Sequence, residues 1–475
     1  MNMESAILPE FSRNTASEKL DIFKESNPIN CQIESRIQET LYPLSSVDRA
    51  QSFIDFYASK HPTLFTDLST LSIYMECRLV RQTDEAIDFK TETDVVIPKS
   101  FLKDAMFSQI DVYLNECLVT PGEKGSFDIQ AAIKTILIDG FSTMNTSNRF
   151  DRILYDFDKL IKPEVDLRAV NTEAAAVPAV EAKWKVNEEN RPFLQESHEL
   201  VKGSKIFCVS GNILPPGLED LKYLPNNISI RVRLHRSNPN YYLFQYNAPA
   251  NNVCNHYLQI RQIYLYLDRL RLFQAPMISL ERALLTNTAT MGFRYIKPYT
   301  AIIPQNTTHF RQERIITEYI PHSLTVVLMK ASTYMGHLNE SQHVFAPHGL
   351  SSIKLLTEPG LELGKTSYDL YFQNDADLEK NWEAYTSLLK QMGKSKQSER
   401  LTLERFKTNA CIFCFTLVPE NPHQIPYSFP LRRGSTGLEL TFSAATQHTL
   451  VALMFTTERN YLRIHGAERE ISLLI

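Results

Sequence analysis

LSIYMECRL, residues 71–79, alternates without a break. Leu71, Ile73, Met75, Cys77 and Leu79 share one side, against Ser72, Glu76 and Arg78 on the other. A side-chain period of two marks a strand with one buried face. ISIRVRL, residues 228–234, repeats the pattern: Ile228, Ile230, Val232 and Leu234 face inward, Ser229, Arg231 and Arg233 outward. IDVYL (110–114), SLTVVLM (323–329), ACIFCFTL (410–417), LELTF (438–442) and LVALMF (450–455) add further strands. Some of these are apolar on both sides, which suits the interior of a sandwich.

Two amphipathic segments interrupt the strands. In SFDIQAAIKTILIDGF, residues 126–141, Ile129, Ile133, Ile136 and Leu137 form one stripe, with Ser126 as N-cap and Gly140 as terminator. In DADLEKNWEAYTSLLKQMG, ending at Gly393, Leu378, Trp382, Tyr385, Leu389 and Met392 fall at helical spacing. A shorter helix is expected around Met277 to Leu285.

The order of elements therefore repeats: strands, one helix, more strands, twice over. The expected fold is mainly β, two tandem eight-stranded jelly-roll β-sandwiches (a double jelly roll), each with an inserted amphipathic helix. The halves share architecture, not residue identity. Residues 1–48 are polar, with Pro9, Pro28 and Pro43, and read as an extended N-terminal arm. Residues 49–285 form the first roll and 286–475 the second, with the seam between Pro276 and Arg294. A stretch at about 165–193, carrying Pro178 and Pro192, reads as a long surface loop of the first roll.

Bulk properties narrow the function. At 475 residues the chain exceeds one ordinary core. Its net charge of −4 argues against broad, sequence-independent nucleic-acid binding. Seven scattered cysteines suggest reduced thiols in an intracellular compartment rather than a disulfide framework. The first residues lack the layout of a signal peptide, and no run of about 18 apolar residues predicts a membrane span.

The search for chemistry finds decoys. PGLELGKTS, residues 359–367, matches a phosphate-binding loop at Gly364, Lys365 and Thr366. The first glycine of that motif is here Pro359, which has no N–H to donate, and the residues that follow look like a strand where a helix is required. Cys411 and Cys414 have the spacing of a metal or redox pair but sit in an apolar strand without a second pair. His343 and His348 flank a loop, and Asp156 and Asp158 read as a solvated face. NYYLFQY (240–246) reads as a core strand rather than a base-stacking platform. The basic clusters at 394–407 and Arg432-Arg433 read as solvated edges. No catalytic, cofactor-binding or metal residue is predicted, and no enzyme.

Two blocks carry a family resemblance. DAMFSQIDVYLNECLV, residues 104–119, holds Phe107, Ser108, Gln109, Asp111, Val112, Leu114 and Asn115 in a strand that ends in an Asn turn. The second block runs from IPHSLTVVLMKASTYMG (320–336) through SSIKLLTE (351–358) and the second helix to CIFCFTLVPE (411–420) and HTLVALMFTTERNYLRI (448–464). In order and spacing these resemble the double jelly-roll, adenovirus-hexon-like major capsid proteins of Polinton/Maverick-type elements and adintovirus-like viruses. The turn HLNESQHVFAPHGL and the turn TEPGLEL depart from that family's pattern.

The resemblance implies a structural major capsid protein of an icosahedral double-stranded DNA virus or virus-like transposon. Three copies would form a pseudo-hexameric homotrimeric capsomer, meeting neighbouring capsomers and a penton or minor capsid protein. Packaged DNA would be touched through the N-terminal arm. The location would be the virion capsid, assembled in the nucleus or cytoplasm of the host. The competing reading from the residues is a carbohydrate- or protein-binding β-sandwich module.

Overall fold

Among the described residues, ten strands occupy the first half of the chain: β1 (Ile33–Leu41), β2 (Phe53–Ala58), β3 (Leu64–Arg81), β4 (Val96–Pro98), β5 (Phe107–Leu114), β6 (Cys117–Leu118), β7 (Phe207–Asn212), β8 (Ile230–Arg236), β9 (Leu243–Gln245) and β10 (His256–Leu272). They build one sheet in the order β1-β10-β3-β7, a second in the order β2-β8-β5-β6, and a β4-β9 ribbon. The computed structural model describes residues 32–85, 96–99, 101–120, 126–136, 201–245, 249, 251–357, 365–372, 378–391, 401–408, 410–419, 429–466 and 468–474.

The second half contributes β11 (Ala289–Ile303), β12 (His309–Ile316), β13 (Tyr319–Ile320), β14 (Ser323–Lys330), β15 (Leu350–Thr357), β16 (Ser367–Asp369), β17 (Ile412–Thr416), β18 (Arg432–Arg433), β19 (Thr436–Phe442), β20 (Leu450–His465) and β21 (Glu470–Leu474). Its sheets run β11-β20-β14-β17, with β21 added to β20, and β12-β19-β15-β16. Leaving aside the ribbons and β21, the eight strands of each half pair in the same order. First, eighth, third and sixth make one sheet, and second, seventh, fourth and fifth make the other. This is one jelly roll written twice.

The deciding alternation is realised side chain by side chain. Leu71, Ile73, Met75, Cys77 and Leu79 of β3 are fully buried, while the residues between them are half-buried. All seven sequence-predicted strands overlap observed ones. Ser229, expected outward, is buried instead: its backbone N–H and its hydroxyl both donate to Asn115 Oδ1, at 2.9 and 3.1 Å.

Both helices fall at the equivalent connection, between the fifth and sixth strands of each roll. The first is Phe127–Lys134 and the second Leu378–Gln391, followed by Leu403–Thr408. Leu137, Gly140, Met392 and Gly393 lie outside the described residues, as does the expected 165–193 loop. Helix Gln274–Thr286 joins β10 to β11.

The arm expectation needs correction. Residues 33–41 are β1, paired with β10 from Ile33↔Leu272 to Leu41↔Leu265. The sequence hides this strand because it is a sheet edge, where polar and charged side chains are favoured and apolar alternation is not required. Arg36 reaches Asp67 at 3.3 Å and Asp268 at 3.2 Å. Glu39 accepts from the buried Arg269 guanidinium at 2.7 Å, so charge supplements the β10 ladder and the apolar contacts of Ile33 and Leu41 at the strand's two ends.

Candidate functional site

The two rolls meet through one short helix and a set of buried polar groups. Phe127 and Ala131 of the first-roll helix pack into the first roll's core. Ile129, Ala132, Ile133 and Ile136, one turn apart on its other side, join Leu324, Val326 and Phe413 in the second core. Traffic also runs the other way: Met291, Phe293, Leu462 and Ile464, from the ends of β11 and β20, complete the first core.

Around this helix the contacts are polar and specific. Asp128 is buried and accepts from Gln342 Nε2 at 2.7 Å, with His343 Nε2 at 3.4 Å. Gln342 also donates to the Tyr241 carbonyl, and His343 meets the Phe101 ring edge-on at 5.0 Å. Lys99 is fully buried, and its Nζ donates to the carbonyls of Asn240 in the first half and His337 in the second, both at 2.7 Å. Burial pushes its pKa down to about 7, against the opposing pull of Cys254, Glu340 and Asp128. Asn252 accepts from Leu338 N–H and donates to the Gly336 carbonyl. Arg294 on β11 clamps Asp220 at 2.6 Å and Glu219 at 2.9 Å, and Lys134 adds a third ion pair to Glu219 at 3.3 Å. Gly217 is obligatory here: at φ 101°, a Cβ would stand 2.1 Å from the Arg294 carbonyl oxygen. Directional bonds of this kind fix the angle between two bodies better than apolar contact alone.

Among the described residues, the outer faces of the first roll carry aromatic and charged side chains. Tyr42 just past the end of β1, Tyr264 on β10 and Tyr74 on β3 form a row, with ring centroids 5.4 and 6.1 Å apart. Tyr42 is 65% exposed. On the other sheet, Arg233 binds both oxygens of Asp55 at 2.8 and 2.9 Å and lies over the Phe53 ring, while Arg231 lies over Tyr113. The Arg233 hydrogen bond holds the Asp55 carboxyl below the usual range.

The sequence-predicted decoys fall apart in space. Lys365 is ion-paired with Glu383 and lies 5.5 Å from the Tyr368 ring centroid, and Ser367 begins β16, so the phosphate-loop match leads into a strand; residues 358–364 lie outside the described residues. Cys411 and Cys414 are buried free thiols whose pKa values burial pushes up, that of Cys414 to about 12. The 240–246 expectation holds only in part: Pro239–Tyr242 is a short helix opened by Asn238 and Pro239, β9 begins at Leu243, and Tyr242, Leu243 and Phe244 are core residues. His343 is buried at the junction, while His348 occupies a turn at φ 50°. Leu401, Leu403 and Phe406 of the basic 394–407 stretch are buried; residues 394–400 and Asp156 and Asp158 lie outside the described residues. Arg432 and Arg433 are exposed on β18. Among the described residues, no three His, Cys, Asp or Glu side chains are placed to hold a metal, and no helix is long and apolar enough to cross a membrane.

Sequence reading missed the junction. One signal was present: Lys99 is the one charge in VVIPKSFL, residues 95–102, and a lone charge in an apolar run marks a buried or paired group. Its partners are backbone carbonyls 141 and 238 residues away, which no local pattern encodes.

These features define a double jelly roll with a hydrogen-bonded junction. Solved structures share the double jelly-roll fold. A chain of the Sputnik virophage, solved by cryo-electron microscopy at 3.5 Å, aligns with a TM-score of 0.59 at 10% identity, over 100% of this chain and 95% of that one. The mavirus major capsid protein aligns at 0.53 and 10% identity, over 100% and 96%. A chain of the PBCV-1 virus capsid aligns at 0.54 and 10% identity, over 95% and 100%. No family model matches the sequence, and no curated protein matches it.

Proposed function

We propose that this chain is a major capsid protein, with a structural rather than a catalytic role. The observation that carries the proposal is the end-to-end match of a repeated eight-strand roll with the mavirus major capsid protein. The physical logic agrees. Stacked sandwiches hide their strand edges and leave loops and faces for lateral contacts. Closed symmetry lets one chain tile a shell, and many weak contacts add up.

In this reading three copies make a capsomer of six rolls with a pseudo-hexagonal outline. The rolls divide at helix Gln274–Thr286, residues 49–285 together with β1 forming one and 286–475 the other. Neighbouring capsomers and a penton or minor capsid protein are the partners, with packaged DNA against the N-terminal residues. The setting is the shell of a double-stranded DNA virus or virus-like transposon of the Polinton, Maverick and adintovirus kind, assembled in the nucleus or cytoplasm. Negative-stain electron microscopy of the expressed full chain tests this. Hexagonal capsomers, arrays or particles are expected; dispersed single chains at high concentration refute it.

A further inference from the structure

Helix Gln274–Thr286 is apolar in sequence, QAPMISLERALLT, yet most of it faces solvent. Leu284 is its one buried residue among the described side chains. Its seat is narrow. Met277 packs on the small cluster of Phe65, Leu270 and Leu272, and Glu281 bonds Asn226. With 3.6 residues per turn, Ile278 and Leu285 lie on one flank of that seat and Leu280 on the other. These three are 43%, 61% and 43% exposed, and Phe273 just before the helix is 45% exposed. The apolar stripe is wider than the surface beneath it, which is the signature of a face that something else covers.

The chain itself supplies the candidate. Gln32, the first described residue, accepts a hydrogen bond through its carbonyl from Phe273 N–H at 3.1 Å. Ile33 packs on the same small cluster as Met277. Residues 1–31, which lie outside the described residues, therefore join the fold beside the first turn of the exposed helix. They carry Leu20, Ile22, Phe23 and Ile29 within twelve residues of that point. The helix is about 20 Å long at about 1.5 Å per residue. Nine residues of extended chain, from Phe23 to Gln32, span up to about 30 Å. Every exposed apolar residue of the helix is thus within the tether's reach, and tethering raises the local concentration of the segment to about the millimolar range.

The geometry points to residues 20–29 docking in cis on the exposed flanks of helix Gln274–Thr286, covering the linker between the rolls. This holds for the single chain and does not depend on the shell reading, so the two can fail separately. The test places the photocross-linking residue p-benzoylphenylalanine at Leu285 of the full chain, with denaturing gels and peptide mass spectrometry as readouts. The expected product is a cross-link to residues 20–29 in a species of single-chain mass. A cross-link to that segment at double-chain mass means that a second copy supplies it and overturns the proposal, as does a cross-link to any other segment. The variant carrying Leu20→Asp and Phe23→Asp is expected to lower the cross-link yield at least five-fold; an unchanged yield also overturns it. The urea unfolding midpoint of the variant, compared with that of the wild type, separates a lost contact from a lost fold.

Discussion

Strands β3 and β14 are topological equivalents, the third strand of each roll, yet they are built differently. β3 alternates, with apolar residues to the core and a half-open face bearing Tyr74. β14 is buried at every position from Ser323 to Met329. The difference comes from what lies over them. The second roll's cluster takes in the helix borrowed from the first roll and helix Leu378–Gln391. The first roll's outer sheet face has no such layer among the described residues. Among the described residues, the third strand of the second roll is thus packed on both faces and that of the first roll on one. Continuous apolar runs and clean alternation in the sequence report this asymmetry directly.

The largest test concerns the edge of the open roll. Removing residues 1–45 deletes β1, and with it the Glu39 partner of the buried Arg269 and the Arg36 partner of Asp268, so the first roll is expected to lose its cooperative unfolding transition. Removing residues 1–31 keeps it. Equal unfolding midpoints for the two truncations in urea would mean that β1 is dispensable. Next, Leu324→Ala in the doubly buried strand is expected to cost about 2–5 kcal/mol, whereas Tyr74→Ala on the open face costs about 1 kcal/mol or less. Similar costs in denaturant titration would erase the asymmetry.

Much of this was legible beforehand because it rests on periodicity. Alternation in 71–79 and 228–234, the unbroken run at 323–329 and the helical stripes at 126–136 and 378–389 encode strand burial and helix faces locally. β1 was not legible, because an edge strand held by Arg36 and Glu39 carries no apolar period. Nor was the junction. Asp128, Gln342 and Lys99 find partners only after both rolls have folded. Gly217 could be read as a turn glycine, but its requirement for the Arg294 carbonyl could not.

Two smaller effects probe that junction. Gly217→Ala places a methyl group against the Arg294 carbonyl and is expected to cost about 1–3 kcal/mol, read as a lower urea midpoint. A wild-type midpoint would show that the rolls can shift apart freely there. Lys99 makes stability depend on pH. Its folded pKa, about 7, lies below its unfolded value of 10.5. Between these the unfolded chain binds more protons, so this group's contribution rises with pH, by at most about 1.4 kcal/mol per unit, and is flat below pH 7. Lys99→Met is expected to remove that slope between pH 7.5 and 9.5. Parallel curves for variant and wild type would show that Lys99 does not titrate in the fold.

The central claim is that two unequal rolls make one subunit of a threefold building block. Sedimentation equilibrium of the full chain measures it most directly. The account predicts a species of three times the chain mass across a wide concentration range. A species of single-chain mass at the highest concentration reached would contradict it.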